Sequence, residues 1–213
     1  MTPKPRNRSI AIVGFLSIGV ALYAIVAYSA LPLGSLVHPA MRASFNAHKL
    51  TIYLHVFSAA VALSLGPFQF SSRLRSRHLS LHRWIGRCYL GVGVFVGGIA
   101  GLCSALFAYG GVPARAGFAC LAVAWLYTGL RAYLAIRRRE IESHRRWMTR
   151  NFALTFAAVT LRIYLPSSQV LGIAFEAAYP VIAWICWVPN LLAAETLIVA
   201  RANQQSARIG GSP

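Results

Sequence analysis

Three ionisable side chains, His55, Arg162 and Glu195, stand inside long apolar runs of this 213-residue sequence. A charge at the centre of a membrane helix costs about 2.5–3.5 kcal/mol on insertion scales, so such a group needs a partner, a wet cavity or a ligand. Arg162 is the strongest case, about seven residues from the outer end of its run and therefore ~10 Å deep. His55 lies at a similar depth and shares a helical face with Ser58, Ala59, Ala62 and Gly66. Gly93, Gly97, Gly98 and Gly101 make two overlapping GxxxG patterns in the next run, while Trp184 and Trp187 offer aromatic walls and Asn190 a polar partner for Arg162. An imidazole, a guanidinium, aromatic walls and glycine-made space suit a flat, partly anionic ligand such as haem b or a quinone. The plainer alternative is that the glycines pack helices and that His55 and Arg162 bridge them through hydrogen bonds.

Other chemistries are not encoded. No HExxH, catalytic triad or nucleotide-binding loop occurs, which argues against an enzyme acting alone on a soluble substrate. No run holds two histidines three to four turns apart, so a two-haem cytochrome is not indicated; a bis-histidine haem on His55 would need His38 or His48 from the outer loop. Cys88, Cys103, Cys120 and Cys186 lie in apolar runs without a CxxC, which gives neither a disulfide framework nor a zinc site.

A second group of residues recurs. His82-Arg83-Trp84-Ile85-Gly86-Arg87 reads H-R-W-x-x-R, and His144-Arg145-Arg146-Trp147-Met148-Thr149-Arg150 reads H-R-R-W-x-x-R. Each follows a basic loop and opens a helix. His82, Arg83, Arg87, His144, Arg145 and Arg150 would form an anion-binding inner rim, for a lipid phosphate, a haem propionate or the carboxylate of Glu140 or Glu142. Neighbouring cations disfavour a metal there. Alternatively each motif simply marks the membrane interface, which Arg and Trp favour.

The elements that must position these groups follow from composition. Hydrophobic residues make up 57% of the chain and charged residues 12%, against roughly 25% charged in a soluble domain. Six apolar runs fall at about 9–30, 48–70, 85–109, 114–136, 151–169 and 178–200, each near the ~20 residues that a membrane helix needs. Lys4, Arg6, Arg8, five arginines from Arg73 to Arg87, seven from Arg131 to Arg150, Arg201 and Arg208 lie on one side; Arg42, Lys49 and Arg115 lie on the other. The positive side is cytoplasmic, so both termini are read as cytoplasmic. The +17 formal charge is an orientation signal and not a nucleic-acid footprint, because it lies in short segments between apolar runs. The first run resembles a signal peptide, ending Ala27-Tyr28-Ser29-Ala30, but exceeds the ~7–15 residues of a signal core and reads as a retained helix. The expected fold is an all-α integral membrane protein: residues 1–8 cytoplasmic, 9–200 a six-transmembrane-helix bundle, and 201–213 a flexible cytoplasmic tail. If the recurring motif marks duplication, helices 2–3 and 4–5 are two copies of one hairpin.

Gly66-Pro67-Phe68-Gln69-Phe70, the two His-Arg-Trp elements and Arg162 together resemble the bacterial membrane proteins grouped as domain of unknown function 2306, over about Leu50 to Ala200. The resemblance implies a multi-pass protein of the bacterial inner membrane and supplies no activity. From the residues, the leading reading is a protein that binds a haem- or quinone-like molecule for membrane redox or its assembly. The rivals are a small-solute transporter, suggested by the repeat, by Gly66-Pro67 and by Pro189-Asn190, and a scaffold. Expected partners are the lipid bilayer, anionic lipid at the cytoplasmic face, and a membrane-protein partner or a second copy of the chain; no nucleic acid is expected.

Overall fold

A computed structural model describes residues 5–210. Every regular element among them is helical. The elements are α1 (Pro5–Ala30), a 3-10 turn (Pro39–Met41), α2 (Arg42–Ala47), α3 (Lys49–Gln69), α4 (Ser72–Arg77), α5 (Leu79–Cys88), a π-helical stretch (Tyr89–Val96), α6 (Gly97–Ala105), α7 (Gly111–Arg137), α8 (Ile141–Thr155), α9 (Ala157–Val170), α10 (Phe175–Ile185) and α11 (Val188–Gly210). Among the described residues, five stretches are long and apolar enough to cross a membrane: Ala11–Ala30, Lys49–Gln69, Leu79–Ala105, Gly111–Arg137 and Phe175–Gln204. Large apolar side chains such as Phe15, Leu50, Ile99, Val123 and Leu192 point outward from them. That exterior suits a hydrocarbon solvent, in which only internally hydrogen-bonded backbone is tolerated.

Four apolar runs become helices near their expected bounds, and the last is helical but broken at Cys186–Trp187 before α11 continues through Gly210, into the segment read as a tail. The run at 151–169 is not one continuous helix; it divides at Phe156 into α8 and α9. The cause is local. Thr155 Oγ1 donates back to the Asn151 carbonyl (3.0 Å) while accepting from Trp125 Nε1 (2.9 Å), and back-bonding of this kind bends helices.

The bundle is organised around α3 and α7. α3 packs on α1, on the π-helical stretch and on α6, while α7 packs on α6, α8 and α10. α9 closes the ring against α1 and α10, and α11 lies on α8. The core is centred on Tyr89, Val94, Trp125, Phe152 and Cys186. The α6–α7 turn needs left-handed backbone at Gly110 (φ 88°), which glycine adopts without penalty.

A cavity with an imidazole and an uncompensated guanidinium

A cavity of about 550 Å³ lies between α1, α3, α6, α7 and α9, within the ~300–1,000 Å³ typical of ligand pockets. Its walls are mostly apolar, and it extends to the end of the bundle carrying α2 and the α6–α7 turn. α2 is fastened there: Ser44 Oγ donates to the Phe107 carbonyl (3.2 Å), and His48 stacks on Phe107 at 3.6 Å.

His55 and Arg162 both line this cavity. The His55 ring is fixed by a 2.9 Å hydrogen bond between Nδ1 and the Gly97 carbonyl. A carbonyl only accepts, so Nδ1 carries the proton and Nε2 of the neutral ring keeps its lone pair. Gly101 makes room for the imidazole, since a Cβ there would stand 2.8 Å from Nδ1. Gly97 directly follows the π-helical turn, a device frequent at functional sites. On α9, the Arg162 guanidinium makes one hydrogen bond to protein among the described residues, to the Ala158 carbonyl one turn back (3.0 Å). Its face lies 5.9 Å from the Tyr23 ring. None of the described carboxylates pairs with it. Glu195 instead takes Arg150 in a two-point contact (2.6 and 2.8 Å).

Trp184, Trp187 and Asn190 lie outside the cavity lining. Trp184 Nε1 donates to the Pro113 carbonyl (3.0 Å) and so ties α10 to α7. Trp187 donates to Ala183 (3.1 Å). Asn190 Nδ2 donates to the Cys186 carbonyl (3.0 Å) and to Thr160 Oγ1 (3.2 Å), closing the backbone gap at the helix break. His38 stacks on Phe175 at 4.0 Å and is likewise outside the lining. His48 does line the cavity, but two turns from His55 on the same helical face, so the two rings cannot oppose each other across one ion.

Sequence reasoning missed the cavity floor. Thr155 and Trp125 line it, and behind them Tyr89, Asn151 and Thr128 form a buried, fully bonded polar network. Tyr89 Oη donates to Asn151 Oδ1 (2.7 Å), and Asn151 Nδ2 donates to the Trp125 carbonyl (2.8 Å) and to Thr128 Oγ1 (2.9 Å). Asn151, with no exposed surface, was a polar residue at the edge of an apolar run, and that was its only signal in the sequence.

At the other end of the bundle, His82 and His144 stand at the fourth positions of α5 and α8 and lie within electrostatic range of each other. His144 Nδ1 bonds the Ala132 carbonyl (2.8 Å). Arg145 pairs with Glu142, and Arg83 and Arg87 are exposed, the latter over Trp84 at 5.0 Å. Arg150, held by Glu195, also covers Trp147 at 4.6 Å. That commitment takes Arg150 out of the free rim charges.

A helical bundle with an apolar exterior, a ligand-sized interior cavity and few interior charges defines a multi-pass helical membrane protein. Residues 52–198 match the family described as predicted membrane proteins, DUF2306, and the chain belongs to that family. No curated protein and no solved structure matches it.

Proposed function

We propose that this protein binds a quinone- or haem-like molecule in the cavity and serves membrane redox chemistry or its assembly. The observation that carries this reading is the presence, in the lining of one apolar cavity, of an imidazole with a free Nε2 and a guanidinium without a carboxylate partner among the described residues. A quinol hydroxyl can donate to His55 Nε2 while Arg162 donates to an oxygen at the other side of the ring. A haem would use the same Nε2 as an axial ligand, its Nδ1–H held by a backbone carbonyl as such ligands generally require, and would place a propionate on Arg162. The same-face placement of His48 favours the quinone-like molecule over a bis-histidine haem. The transporter reading gains nothing from the helix break at Cys186–Trp187, because Asn190 and Thr160 tie its carbonyl down.

In this reading residues 151–169 form a sixth crossing despite the hitch at Phe156, and the arginine-rich end faces the cytoplasm of a bacterial inner membrane. The cavity then opens outward. Reporter fusions at Gly111 and Phe175 should read periplasmic and fusions after Ile136 cytoplasmic; a cytoplasmic signal at Gly111 overturns the orientation.

Protein purified in mild detergent should show either a Soret band in the reduced-minus-oxidised spectrum or a near-stoichiometric quinone in its organic extract. Arg162→Ala and His55→Ala should lose that molecule at unchanged expression. Arg162→Lys should retain less of it than wild type, because an ammonium cannot reproduce a planar two-point contact. Colourless, quinone-free wild-type protein overturns the proposal.

A further inference from the structure

The arginine-rich end of the bundle gathers a second group of polar side chains, none of which lines the cavity. Arg75 of α4 is half-buried and donates from Nη1 to the carbonyl of Gln69, the last residue of α3 (2.9 Å). Burial, and then the facing charge of Arg145 on α8, hold its guanidinium below the ordinary arginine value. His82 of α5 lies within electrostatic range of Arg75, His144 and Arg83. Basic groups from three helices therefore converge. The carboxylate found among them, Glu142 on Arg145, makes an exposed pair one turn apart, a contact worth about 0–1 kcal/mol.

The independent observation is a pair of unpartnered buried nitrogens. Gln69 is only 7% exposed, yet among the described residues its Nε2 has no hydrogen-bond partner, and His82 Nδ1 is buried without one. Both belong to the α3–α5 seam that Arg75 closes. The Gln69 amide lies over Gly86, one turn along α5 from His82, where a Cβ would sit 3.2 Å from Oε1. An unsatisfied buried donor costs about 1–3 kcal/mol, and folded proteins rarely leave one. Unpaired buried nitrogens beside cations that repel one another are the complement of an acceptor with several oxygens and a negative charge.

We propose that Arg75, His82 and Arg145, with Gln69 Nε2 as a neutral donor, bind a phosphate-class anion where α4 and α5 meet α8. The phosphate of an anionic lipid headgroup and free phosphate share this chemistry. The cations around the seam rule against a metal ion.

The test is thermal unfolding of the detergent-purified full-length chain at fixed ionic strength. Sodium phosphate replaces chloride in one arm, and dioleoylphosphatidylglycerol replaces dioleoylphosphatidylcholine in the other. The concentration giving half-maximal stabilisation should rise about ten-fold in Arg75→Gln and in Arg145→Gln, the loss expected for one charge-assisted hydrogen bond. Arg87→Gln should titrate like wild type, because that guanidinium lies on Trp84. Stabilisation by sodium phosphate supports a free-anion site, and stabilisation by phosphatidylglycerol alone supports a headgroup site. If Arg75→Gln fails to fold, the exposed Arg145→Gln carries the comparison. Absence of any stabilisation over the chloride and phosphatidylcholine controls overturns the proposal, as does equal titration of the Arg145 and Arg87 variants.

Discussion

α5 and α8 open with nearly the same residues and put them to different uses. In α8 three groups of the motif have protein partners: His144 holds the Ala132 carbonyl, Arg150 holds Glu195, and the Trp147 ring meets the guanidiniums of Arg131 (4.8 Å) and Arg150 (4.6 Å). In α5 the corresponding groups are open. His82 Nδ1 is unpartnered, Arg87 touches only an aromatic face, and Trp84 is 62% exposed. One residue later the contrast continues, with Asn151 fully buried in a polar network and Cys88 exposed. One signature can thus serve as a fastening in one helix and as a binding surface in another. The deciding factor is what the neighbouring helices place opposite it.

The comparison breaks most visibly at the residue after the motif. Asn151→Ala removes one partner each from Tyr89 Oη, Thr128 Oγ1 and the Trp125 carbonyl and leaves a cavity, and should cost about 2 kcal/mol, since a buried hydrogen bond contributes about 0.5–1.5 kcal/mol and networks couple. Cys88→Ala should be neutral within a few tenths of a kcal/mol, as exposed substitutions generally are. Thermal unfolding in detergent measures both, and equal effects would dissolve the distinction between the two helices.

The next contrast is smaller. Arg150→Ala leaves Glu195 without its two-point partner and should cost about 1 kcal/mol, discounted because the carboxylate side is 40% exposed. Arg87→Ala removes only an exposed contact with Trp84, worth about 0.5 kcal/mol. A double change of Arg150 and Glu195 should cost less than the sum of the single changes, which a double-mutant cycle reads directly.

Much of this architecture was legible because apolar run length and loop charge are set by the solvent and survive without tertiary information. The pairing of Arg150 with Glu195 joins two apolar runs at equal depth, a match the sequence itself carries. The break at Phe156 was not legible, because it arises from contacts with other helices, Trp125 and Tyr89 on Thr155, whereas Pro189-Asn190 marked an interruption of the last run, which falls at Cys186–Trp187. Trp184, Trp187 and Asn190 bond to backbone or to Thr160 outside the cavity lining, whereas His55, on unbroken α3, lines it. Gln69 and Arg75 escaped notice because neither belongs to the repeated motif; chain reversal after α3 brings them to it.

The smallest expected effect separates the two histidines by pH. His144 lies ahead of the proposed crossing, and its imidazole is held below the ordinary value of 6.5, first by burial and then by the charge of Arg145, against the opposing hydrogen bond to Ala132. Between that folded value and 6.5 the unfolded chain binds more protons than the folded one, so stability rises with pH across the window. The contribution is complete above pH 6.5 and is lost as the pH falls through the folded value. His144→Gln, which keeps a donor for the Ala132 carbonyl, should flatten this part of the stability curve in chloride buffer. In phosphate the same scan becomes a probe of α5, where His82 faces an anion that favours a charged ring. His82→Gln should then change the phosphate curve more than the chloride curve, whereas His144→Gln should change both alike. Identical behaviour of the two variants in both buffers would mean that the repeated histidines share one role, and the division between a fastened helix and an open one would fall with it.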